Sequence, residues 1–288
     1  MLLNKIKKKK AIIGVIGLGY VGLPLAVEIA KNGYNVIGLD IQVGKIGLIN
    51  KGISYIDGVA NKDLKFLVEK SLLKATNDTR VSRSIDCVII CVPTPIDEYK
   101  IPNMNYMKNS IGEIKKYFHK DMLIVLESTT YPEITEELLL PLLDSTGLKC
   151  GKDYYLAYSA ERIDLGNKEY YKKTTKVVGG VTHECIEVVS TFYKNAIGCD
   201  VYRVSTPKVA EICKILENTY RNINIALANE MAIIYDKFNI DIWEVIDAAK
   251  TKPYGFQSFY PGPGVGGHCI PVDPLYLMWK VREYRKIF

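Results

Sequence analysis

A glycine-rich turn between a predicted strand and a predicted helix constrains the fold of this chain more than any other feature. The β-branched apolar residues 11–16 lead into residues 17–22, GLGYVG, and an amphipathic helical pattern over residues 25–31 follows. The next apolar run, residues 35–40, ends in an acid, Asp40. Apolar runs that alternate with a helical pattern in this way are typical of βαβ units. The sequence therefore predicts a βαβ unit with a tight turn after its first strand.

The three glycines of the turn have separate physical roles. Gly17 permits the tight turn, Gly19 lets a pyrophosphate approach the backbone, and Gly22 lets helix and strand pack closely. The helix N-terminus then offers N–H groups and a positive dipole to phosphates. Asp40 is placed to accept hydrogen bonds from a ribose diol, and its charge would repel a 2′-phosphate. We therefore predict a Rossmann-like domain that binds NAD rather than NADP; a glycine turn without a ligand is the alternative.

The alternation of strands and helices continues to residue 204, which we take as the end of a first domain, residues 1–204. Helices are predicted over residues 42–50, 62–71, 105–118, 132–143 and 184–193, and strands over residues 73–77, 86–92, 122–130, 154–158, 176–181 and 200–204. Such an alternation indicates an α/β fold with a doubly wound parallel sheet. Ligands bind beyond the carboxyl ends of its strands, where this sequence has Thr94, Thr129 and Glu161. Capping of the following helix or turn is the alternative role for these polar residues.

The pattern changes after residue 204, and a second, mostly helical domain is predicted over residues 205–288. Thr206-Pro207 is a favourable helix start, and neither Gly nor Pro occurs from there to Phe238. At about 1.5 Å per residue such a helix is roughly 50 Å long, which favours a role in linking domains or pairing subunits. A shorter helix is predicted over residues 242–249. Lys214 and Asn218 lie one turn apart on the long helix and could direct an ammonium and an amide into a cleft; a solvated polar face is the alternative.

A shaped loop near the end of the chain carries a thiol. Residues 262–274 contain four glycines and three prolines, and they present Cys269 with Asp273 four residues later. By itself this segment fits a surface turn around a buried cysteine as well as a reactive thiol. The chain has seven cysteines without a Cys-x-x-Cys pair, and its three histidines lack ligand spacing. These counts argue against a disulfide framework and against a zinc site, so no metal is expected.

Composition excludes several classes of protein. Of the 288 residues, 48% are hydrophobic and 24% are charged, which is typical of a folded domain. No apolar run reaches the roughly 18 residues that a membrane span requires. The lysines of residues 5–10 followed by an apolar run mimic a signal peptide, but the glycine turn interrupts that run, so we interpret them as a solvated lead-in and expect a cytoplasmic protein. The formal net charge is +6, but the sequence has no stripe of basic residues interleaved with aromatic residues, so no nucleic-acid partner is expected.

Five motifs together resemble the UDP-glucose/GDP-mannose dehydrogenase family over residues 12–280. They are GLGYVGLP at 17–24, VPTP at 92–95, ESTTYP at 127–132, LENTYR at 216–221 and the loop at 261–274. The chain looks most like the branch acting on UDP-N-acetylhexosamines, the UDP-N-acetylglucosamine 6-dehydrogenases, because of Glu161-Arg162 and residues 259–264. The resemblance implies oxidation of a UDP-sugar C6 alcohol to a carboxylate with two NAD molecules in turn, for polysaccharide precursor synthesis. It also implies a homodimer formed through the long helix.

The resemblance assigns roles to individual residues. Cys269 matches the nucleophile, which forms a thiohemiacetal and then a thioester. Lys214 and Asn218 match the groups that stabilise oxyanion charge, and Asp273 would orient Lys214 or water. Glu161 and Thr129 would handle water and protons when the thioester is hydrolysed. NAD contacts are implied for Gly17, Gly19, Tyr20, Val21, Gly22, Asp40, Lys45, Thr94 and Thr129. Substrate contacts are implied for Glu161, Lys214, Asn218, Ser258, Phe259, Tyr260, Pro261, Gly262 and Gly266.

Two departures from the family pattern leave alternatives open. Ala160 stands where the family commonly has Pro, which relaxes the backbone that directs Glu161. Family members continue into a further domain that covers the UDP, and Arg285-Lys286-Ile287-Phe288 offer none, so a fragment or a truncated gene product is expected. The chain is then either an active nucleotide-sugar dehydrogenase or an inactive NAD-binding remnant. A dehydrogenase of the 3-hydroxy acid type is a weaker alternative, since its single hydride transfer has no use for a cysteine loop.

Overall fold

The computed structural model describes residues 1–163 and 173–282, and these form two compact units. The first unit comprises Met1–Asp97 and Pro102–Ile212, and the second comprises Glu98–Ile101 and Cys213–Phe288. The boundary predicted at residue 204 lies shortly before this division and stays a prediction. Residues 285–288, on which the expectation of a missing domain partly depended, lie outside the described residues.

An eight-stranded sheet forms the centre of the first unit, in the order β3-β2-β1-β4-β5-β6-β7-β8. The strands are β1 (Ile12–Ile16), β2 (Asn35–Leu39), β3 (Leu73–Thr76), β4 (Cys87–Ile90), β5 (Leu123–Leu126), β6 (Tyr155–Tyr158), β7 (Lys176–Gly180) and β8 (Val201–Val204). Strands β1 to β6 are parallel, which confirms the predicted Rossmann-like parallel sheet for this part of the chain. Strand β7 pairs antiparallel with β6, and β8 is parallel to β7. The predicted parallel sheet thus extends over β1 to β6, and β7 and β8 run in the opposite direction, which the sequence did not indicate because an apolar strand pattern carries no information about direction.

Helices cover the sheet, as the alternation predicted. They are α1 (Leu2–Lys7), α2 (Gly22–Lys31), α3 (Val43–Asn50), α4 (Asn61–Glu69), α5 (Asn105–Lys115), α6 (Leu140–Asp144) and α7 (His183–Ala196), with a 3₁₀ turn at Thr79–Ser84. Every residue of β4 and β5 is buried, as expected for parallel strands packed on both faces. The mostly parallel α/β fold is confirmed.

The N-terminal lysines are exposed and precede β1, as the interpretation of a solvated lead-in expected, but some of them lie in a helix, α1, that was not predicted. Leu2 and Ile6, four residues apart, are both buried on one face of the helix, and α1 packs against α7. Lys5 extends from this helix to form an ion pair with Asp86, Nζ to Oδ1 2.6 Å. The run of lysines concealed this short amphipathic helix.

The segment predicted as one helix over residues 132–143 has a π-helical turn, Thr135–Leu139, before α6. The buried carboxylate of Glu211 accepts hydrogen bonds from the backbone N–H of Glu133 (2.6 Å) and from the N–H and hydroxyl of Thr135 (3.1 and 2.6 Å). A side chain from a distant helix therefore satisfies N–H groups at the start of this turn.

Between β8 and residue 282 the structure has three helices: α8 (Pro207–Asp236), which crosses the division between the units, α9 (Ile242–Ala249) and α10 (Asp273–Val281). The first two confirm the predicted long helix and its shorter successor. Helix α10 was not predicted, because the glycines and prolines before it indicated a loop, although Pro274 is compatible with a first helical turn. Across residues 1–163 and 173–282, none of the helices is both long and apolar enough for a membrane crossing.

Candidate functional site

Steric contacts at the turn between β1 and α2 require two of its three glycines. Gly17 has φ +86°, and a Cβ there would lie 2.6 Å from the carbonyl oxygen of Cys91, just after β4. A Cβ on Gly22 would lie 1.9 Å from the carbonyl oxygen of Gly17. A Cβ on Gly19 would meet no atom within 4 Å. Gly17 and Gly22 are therefore needed by the fold itself, whereas Gly19 borders open space at the turn.

The start of α2 suits an anion. Val21 precedes the helix and has no side-chain atom that could cap its first N–H groups. The turn lies where β1 and β4 are neighbours although β2 and β3 come between them in sequence. Dinucleotides bind at such a switch point, beyond the carboxyl ends of the strands. The residues present thus fit the pyrophosphate of NAD, as the glycine motif predicted.

Asp40 follows β2 directly, and two backbone N–H groups fix its carboxylate. Leu18 N donates to Oδ2 at 2.8 Å and Gln42 N donates to Oδ1 at 2.9 Å. The side chain is half-buried, and each oxygen keeps a lone pair for another donor. This orientation fits the predicted acceptor for a ribose diol.

Lys45 and Tyr55 lie near the same turn. The hydroxyl of Tyr55 donates to the carbonyl oxygen of Leu18 at 2.5 Å, and the Lys45 ammonium lies 5.6 Å from the centre of the Tyr55 ring. Burial, followed by the charge of Asp40, raises the pKa of Tyr55 above its ordinary value, so the hydroxyl stays a donor. Tyr55 therefore contacts this turn from another segment, and the sequence motif did not indicate it.

The carboxyl ends of β4 and β5 are tied together by side chains of the VPTP and ESTTYP motifs. The hydroxyl of Thr94 donates to the carbonyl oxygen of Thr129 at 2.7 Å, and that of Ser128 donates to the carbonyl oxygen of Val92 at 2.8 Å. The structure therefore brings together Thr94 and Thr129, two residues that were predicted from separate motifs. Both are half-buried.

Glu161 lies beyond the carboxyl end of β6 and has a fixed carboxylate. Its Oε1 accepts hydrogen bonds from the backbone N–H of Arg162 and Ile163 at 2.8 and 2.9 Å. Its Oε2 accepts from Lys176 Nζ at 3.3 Å. Lys176, the first residue of β7, was not predicted as a site residue, since only the antiparallel direction of that strand brings it to this edge of the sheet.

In the second unit, Cys269 lies in the loop just before α10. The thiol residue is exposed, so the reading of a buried core cysteine is wrong. Its carbonyl oxygen accepts hydrogen bonds from the N–H groups of Val272 and Asp273, at 3.0 and 2.9 Å. Gly266, shortly before it, has φ +74°. The loop therefore turns directly into the first turn of α10.

A buried polar pair joins this loop region to α8. Asn218 Nδ2 donates to Asp273 Oδ2 at 2.5 Å, and both residues are buried. Burial raises the pKa of Asp273 above its ordinary value, while the hydrogen bond from Asn218 and the charge of Lys214 act in the opposite direction. Asn222, one turn further along α8, donates to the carbonyl oxygen of Ile270 at 3.0 Å. Three predicted residues, Lys214, Asn218 and Asp273, thus lie around the segment that carries Cys269.

The predicted sugar-binding segment, residues 258–262, is held mainly by aromatic contacts within the second unit. The rings of Phe259 and Tyr220 meet edge to face at 5.8 Å, and Tyr260 stacks on Trp243 at 5.1 Å. The Tyr260 hydroxyl donates to Asp247 Oδ1 at 2.9 Å.

The ends of the same segment differ in exposure. The Gly262 N–H donates to Asn229 Oδ1 at 2.8 Å. Ser258 and Pro261 are half-buried, while Gly262 and Gly266 are exposed. The substrate contacts of all these residues stay predictions.

Two protein-family models match the chain. The NAD-binding domain of the UDP-glucose/GDP-mannose dehydrogenase family matches residues 11–197, and the central domain of that family matches residues 208–287. Together the two models span most of both units.

Among curated proteins, the chain is similar to UDP-N-acetyl-D-glucosamine 6-dehydrogenase of Pseudomonas aeruginosa, with 42% identity over 273 residues, 94% of this chain and 63% of the relative. It has the same identity and coverages with Protein CapL of Staphylococcus aureus. Among solved structures, UDP-D-ManNAc dehydrogenase of Pyrococcus horikoshii superposes with a TM-score of 0.89 at 33% identity, over 94% of this chain and 65% of that one. The chain thus spans just under two thirds of the length of these relatives.

Proposed function

This chain belongs to the UDP-glucose/GDP-mannose dehydrogenase family, and on that premise we propose that it oxidises the C6 alcohol of a UDP-sugar to a carboxylate with NAD. UDP-N-acetylhexosamines are the favoured substrates, since two relatives at 38% identity or more are named UDP-N-acetyl-D-glucosamine 6-dehydrogenases. The observation that carries the proposal is the exposed Cys269 beside the buried Asn218–Asp273 pair. We propose that the uronic acid product serves polysaccharide precursor synthesis.

Residues of the first unit would hold the cofactor. The N–H groups at the start of α2 and the open space beside Gly19 would receive the pyrophosphate, and Asp40 would receive the ribose hydroxyls. We assign further contacts to Tyr20, Lys45, Thr94 and Thr129. When bound, NAD supplies the acceptor for the hydride that leaves the sugar carbon.

Cys269 explains how one site can carry an alcohol through two oxidations. Loss of a hydride and a proton from the C6 alcohol gives an aldehyde. The Cys269 thiolate attacks this carbonyl carbon, so a C–S bond forms and the oxygen takes a proton, which gives a thiohemiacetal. Loss of a second hydride and a proton leaves a thioester. Water then attacks its carbonyl carbon, the C–S bond breaks, and the carboxylate and the thiol are released.

The polar residues around Cys269 would handle charge and protons. We propose that the Lys214 ammonium and the Asn218 amide stabilise the oxygen while it carries negative charge, and that Asp273 fixes the orientation of Asn218. Asp273 is well suited to this task, since it accepts a short hydrogen bond from that amide. Glu161 and Thr129 are proposed to orient and deprotonate the water that hydrolyses the thioester. We propose that the binding site for the nucleotide-sugar is lined by Ser258, Phe259, Tyr260, Pro261, Gly262 and Gly266.

We also propose that the chain forms a homodimer through α8. Leu216, Tyr220, Ile223 and Leu227 recur at helical spacing, and each exposes at least 45% of its surface. An apolar stripe of this kind on a long helix favours burial against another chain. All seven cysteines are without a disulfide, which supports a reducing location such as the cytoplasm.

The experiment is to count NADH formed by this chain with UDP-N-acetylglucosamine, UDP-N-acetylmannosamine and UDP-glucose. The proposal expects two NADH per sugar and a carboxylate product, and Cys269→Ser should abolish complete oxidation. Cys199→Ser is the matched control, because Cys199 is buried in the core of the first unit. Binding of NAD by calorimetry without turnover of any UDP-sugar would instead support an NAD-binding protein that is inactive by itself. A single NADH per substrate, unaffected by Cys269→Ser, would contradict the thioester route.

A further inference from the structure

The buried ammonium of Lys176 has three oxygen acceptors at the carboxyl edge of the sheet. Its Nζ lies 3.0 Å from Glu127 Oε1, 3.3 Å from Glu161 Oε2 and 3.4 Å from the carbonyl oxygen of Ala160. The ammonium also lies 5.1 Å from the centre of the Tyr193 ring. A buried lysine that contacts two carboxylates and one backbone carbonyl has little freedom to move, and it restricts those groups in turn.

The reversed direction of β7 places Lys176 at this edge. Strand β7 pairs with β6 in the register Tyr158 to Gly179 and Ala157 to Gly180. If the same register is continued past the end of β6, Lys176 stands opposite Glu161. In a parallel strand the first residue would lie at the other edge of the sheet, away from every carboxyl end.

The two carboxylates differ in their surroundings. The Glu127 side chain is fully enclosed, and its Oε1 also accepts a hydrogen bond from the hydroxyl of Tyr193. The Glu161 side chain keeps 10% of its surface exposed, and it is the one that the proposed function assigns to hydrolysis. Lys176 therefore connects an inner carboxylate, which is inaccessible to substrate, with an outer carboxylate at the edge of the sheet.

The identity of residue 160 bears on the contact between Lys176 and Glu161. Ala160 has no ring that fixes its φ angle, whereas a Pro at this position would have one. Lys176 donates to the carbonyl oxygen of Ala160 and to the carboxylate of Glu161. One of these acceptors belongs to the backbone just before Glu161, and the other belongs to the Glu161 side chain. These two hydrogen bonds restrict the backbone before Glu161 and its side chain.

We propose that Lys176 is the positioning residue for Glu161, and that it holds this carboxylate in the orientation needed to hydrolyse the Cys269 thioester. The inference rests on the proposed function for the role of Glu161. The alternative is that Lys176 only neutralises the buried Glu127 and is needed for folding alone.

The double variant Glu127→Gln/Lys176→Met separates these two roles. It removes both members of the buried ion pair, and the Gln oxygen can still accept the hydrogen bond of Tyr193, so the variant is expected to fold. If Lys176 positions Glu161, the variant should release two NADH in a burst and then stall, with a roughly 10- to 100-fold slower steady state. Intact-mass spectrometry should then show a sugar acyl adduct on Cys269, and Ala160→Pro added to the double variant should restore part of the hydrolysis rate.

Hydrolysis at the wild-type rate in the folded double variant, without an adduct, would overturn the proposal. If that variant does not fold, Lys176→Arg replaces it, because the retained charge still neutralises Glu127 while the contacts to Ala160 and Glu161 change; wild-type hydrolysis in this variant would be equally contrary. Lys120→Met, which removes an exposed ion pair with Asp153, is the matched control. A crystal structure of the protein without substrate gives a separate readout, since Glu161 should be displaced in the double variant even if wild type forms no NADH and the proposed function fails.

Discussion

The side-chain amide of Asn218 donates a 2.5 Å hydrogen bond to the carboxylate of Asp273, although 55 residues separate them. This bond fixes the first turn of α10 against α8. The loop that carries Cys269 leads directly into that turn, so the position of the thiol depends on a pair of buried polar groups. Each group satisfies the other, and loss of either leaves a buried polar atom without its partner.

Asn218→Ala is expected to lower the free energy of unfolding by about 1–3 kcal/mol, because the buried Asp273 carboxylate loses its donor. Urea unfolding followed by circular dichroism measures this. Asn224→Ala is the matched control, since Asn224 lies on the same helix and its amide bonds only an exposed carbonyl. Equal losses in the two variants would show that the pair with Asp273 contributes nothing particular.

The glycines of the first turn should separate folding from cofactor binding. Gly22→Ala places a Cβ 1.9 Å from the Gly17 carbonyl oxygen, so we expect a loss of stability of about 1–3 kcal/mol or more from overpacking. Gly19→Ala meets no atom within 4 Å and should fold like wild type while binding NAD more weakly. Thermal unfolding and calorimetric titration with NAD measure the two effects. Tight NAD binding by Gly19→Ala would argue against a pyrophosphate at this turn.

Asp40 should set the preference for NAD over NADP. Asp40→Asn removes the negative charge but keeps a side chain that can accept the hydrogen bond of Leu18. The ratio of the Kd for NADP to that for NAD should fall roughly tenfold, which corresponds to about 1.4 kcal/mol. Asp57→Asn provides a control at another acid of the same unit. An unchanged ratio in Asp40→Asn would place the ribose elsewhere.

Glu211 should make stability depend on pH. Burial raises the pKa of its carboxyl from 4.5 to about 7, against the opposing effect of hydrogen bonds from Thr135 and Glu133. The folded state then binds this proton more tightly than the unfolded state, so the contribution to stability is complete below about pH 4.5 and is lost as the pH rises to about 7. Over the whole of this pH range the free energy of unfolding should fall by about 3 kcal/mol from this group. Urea unfolding between pH 4.5 and 8 measures the slope.

Glu211→Gln is the control for that slope. The variant should be less stable overall, since its amide group faces a backbone N–H, but its stability should fall less over the same pH range. Parallel pH curves for wild type and Glu211→Gln would contradict the assignment to this carboxyl.

The exposed stripe on α8 should govern association. Ile223→Glu places a charge in the middle of the stripe and should shift a dimer to a monomer in sedimentation velocity runs. Ile41→Glu is the control, because Ile41 is 81% exposed and lies outside α8. A wild-type chain that sediments as a monomer at all concentrations would remove the proposed dimer.

Local sequence patterns were sufficient to predict several features of this chain. The glycine turn could be predicted because its glycine spacing and the strand and helix patterns on either side of it lie within one βαβ unit, and the long helix could be predicted because neither Gly nor Pro interrupts it. The loop around Cys269 could also be predicted, because it is rich in glycine and proline, and its motif contributed to the family resemblance. Helix α1 was not predicted, because its two buried residues, Leu2 and Ile6, are outnumbered by the lysines around them.

Contacts between distant side chains could be seen only in the folded chain. The apolar pattern of β7 is the same in either direction, so the sequence could not show that Lys176 stands beside Glu161 and Glu127. The pairing of Asn218 with Asp273 and of Glu211 with Thr135 likewise joins elements that are far apart in the chain. Strand direction and helix placement are set by the burial of whole faces against one another, and that balance is a property of the assembled fold rather than of any single segment.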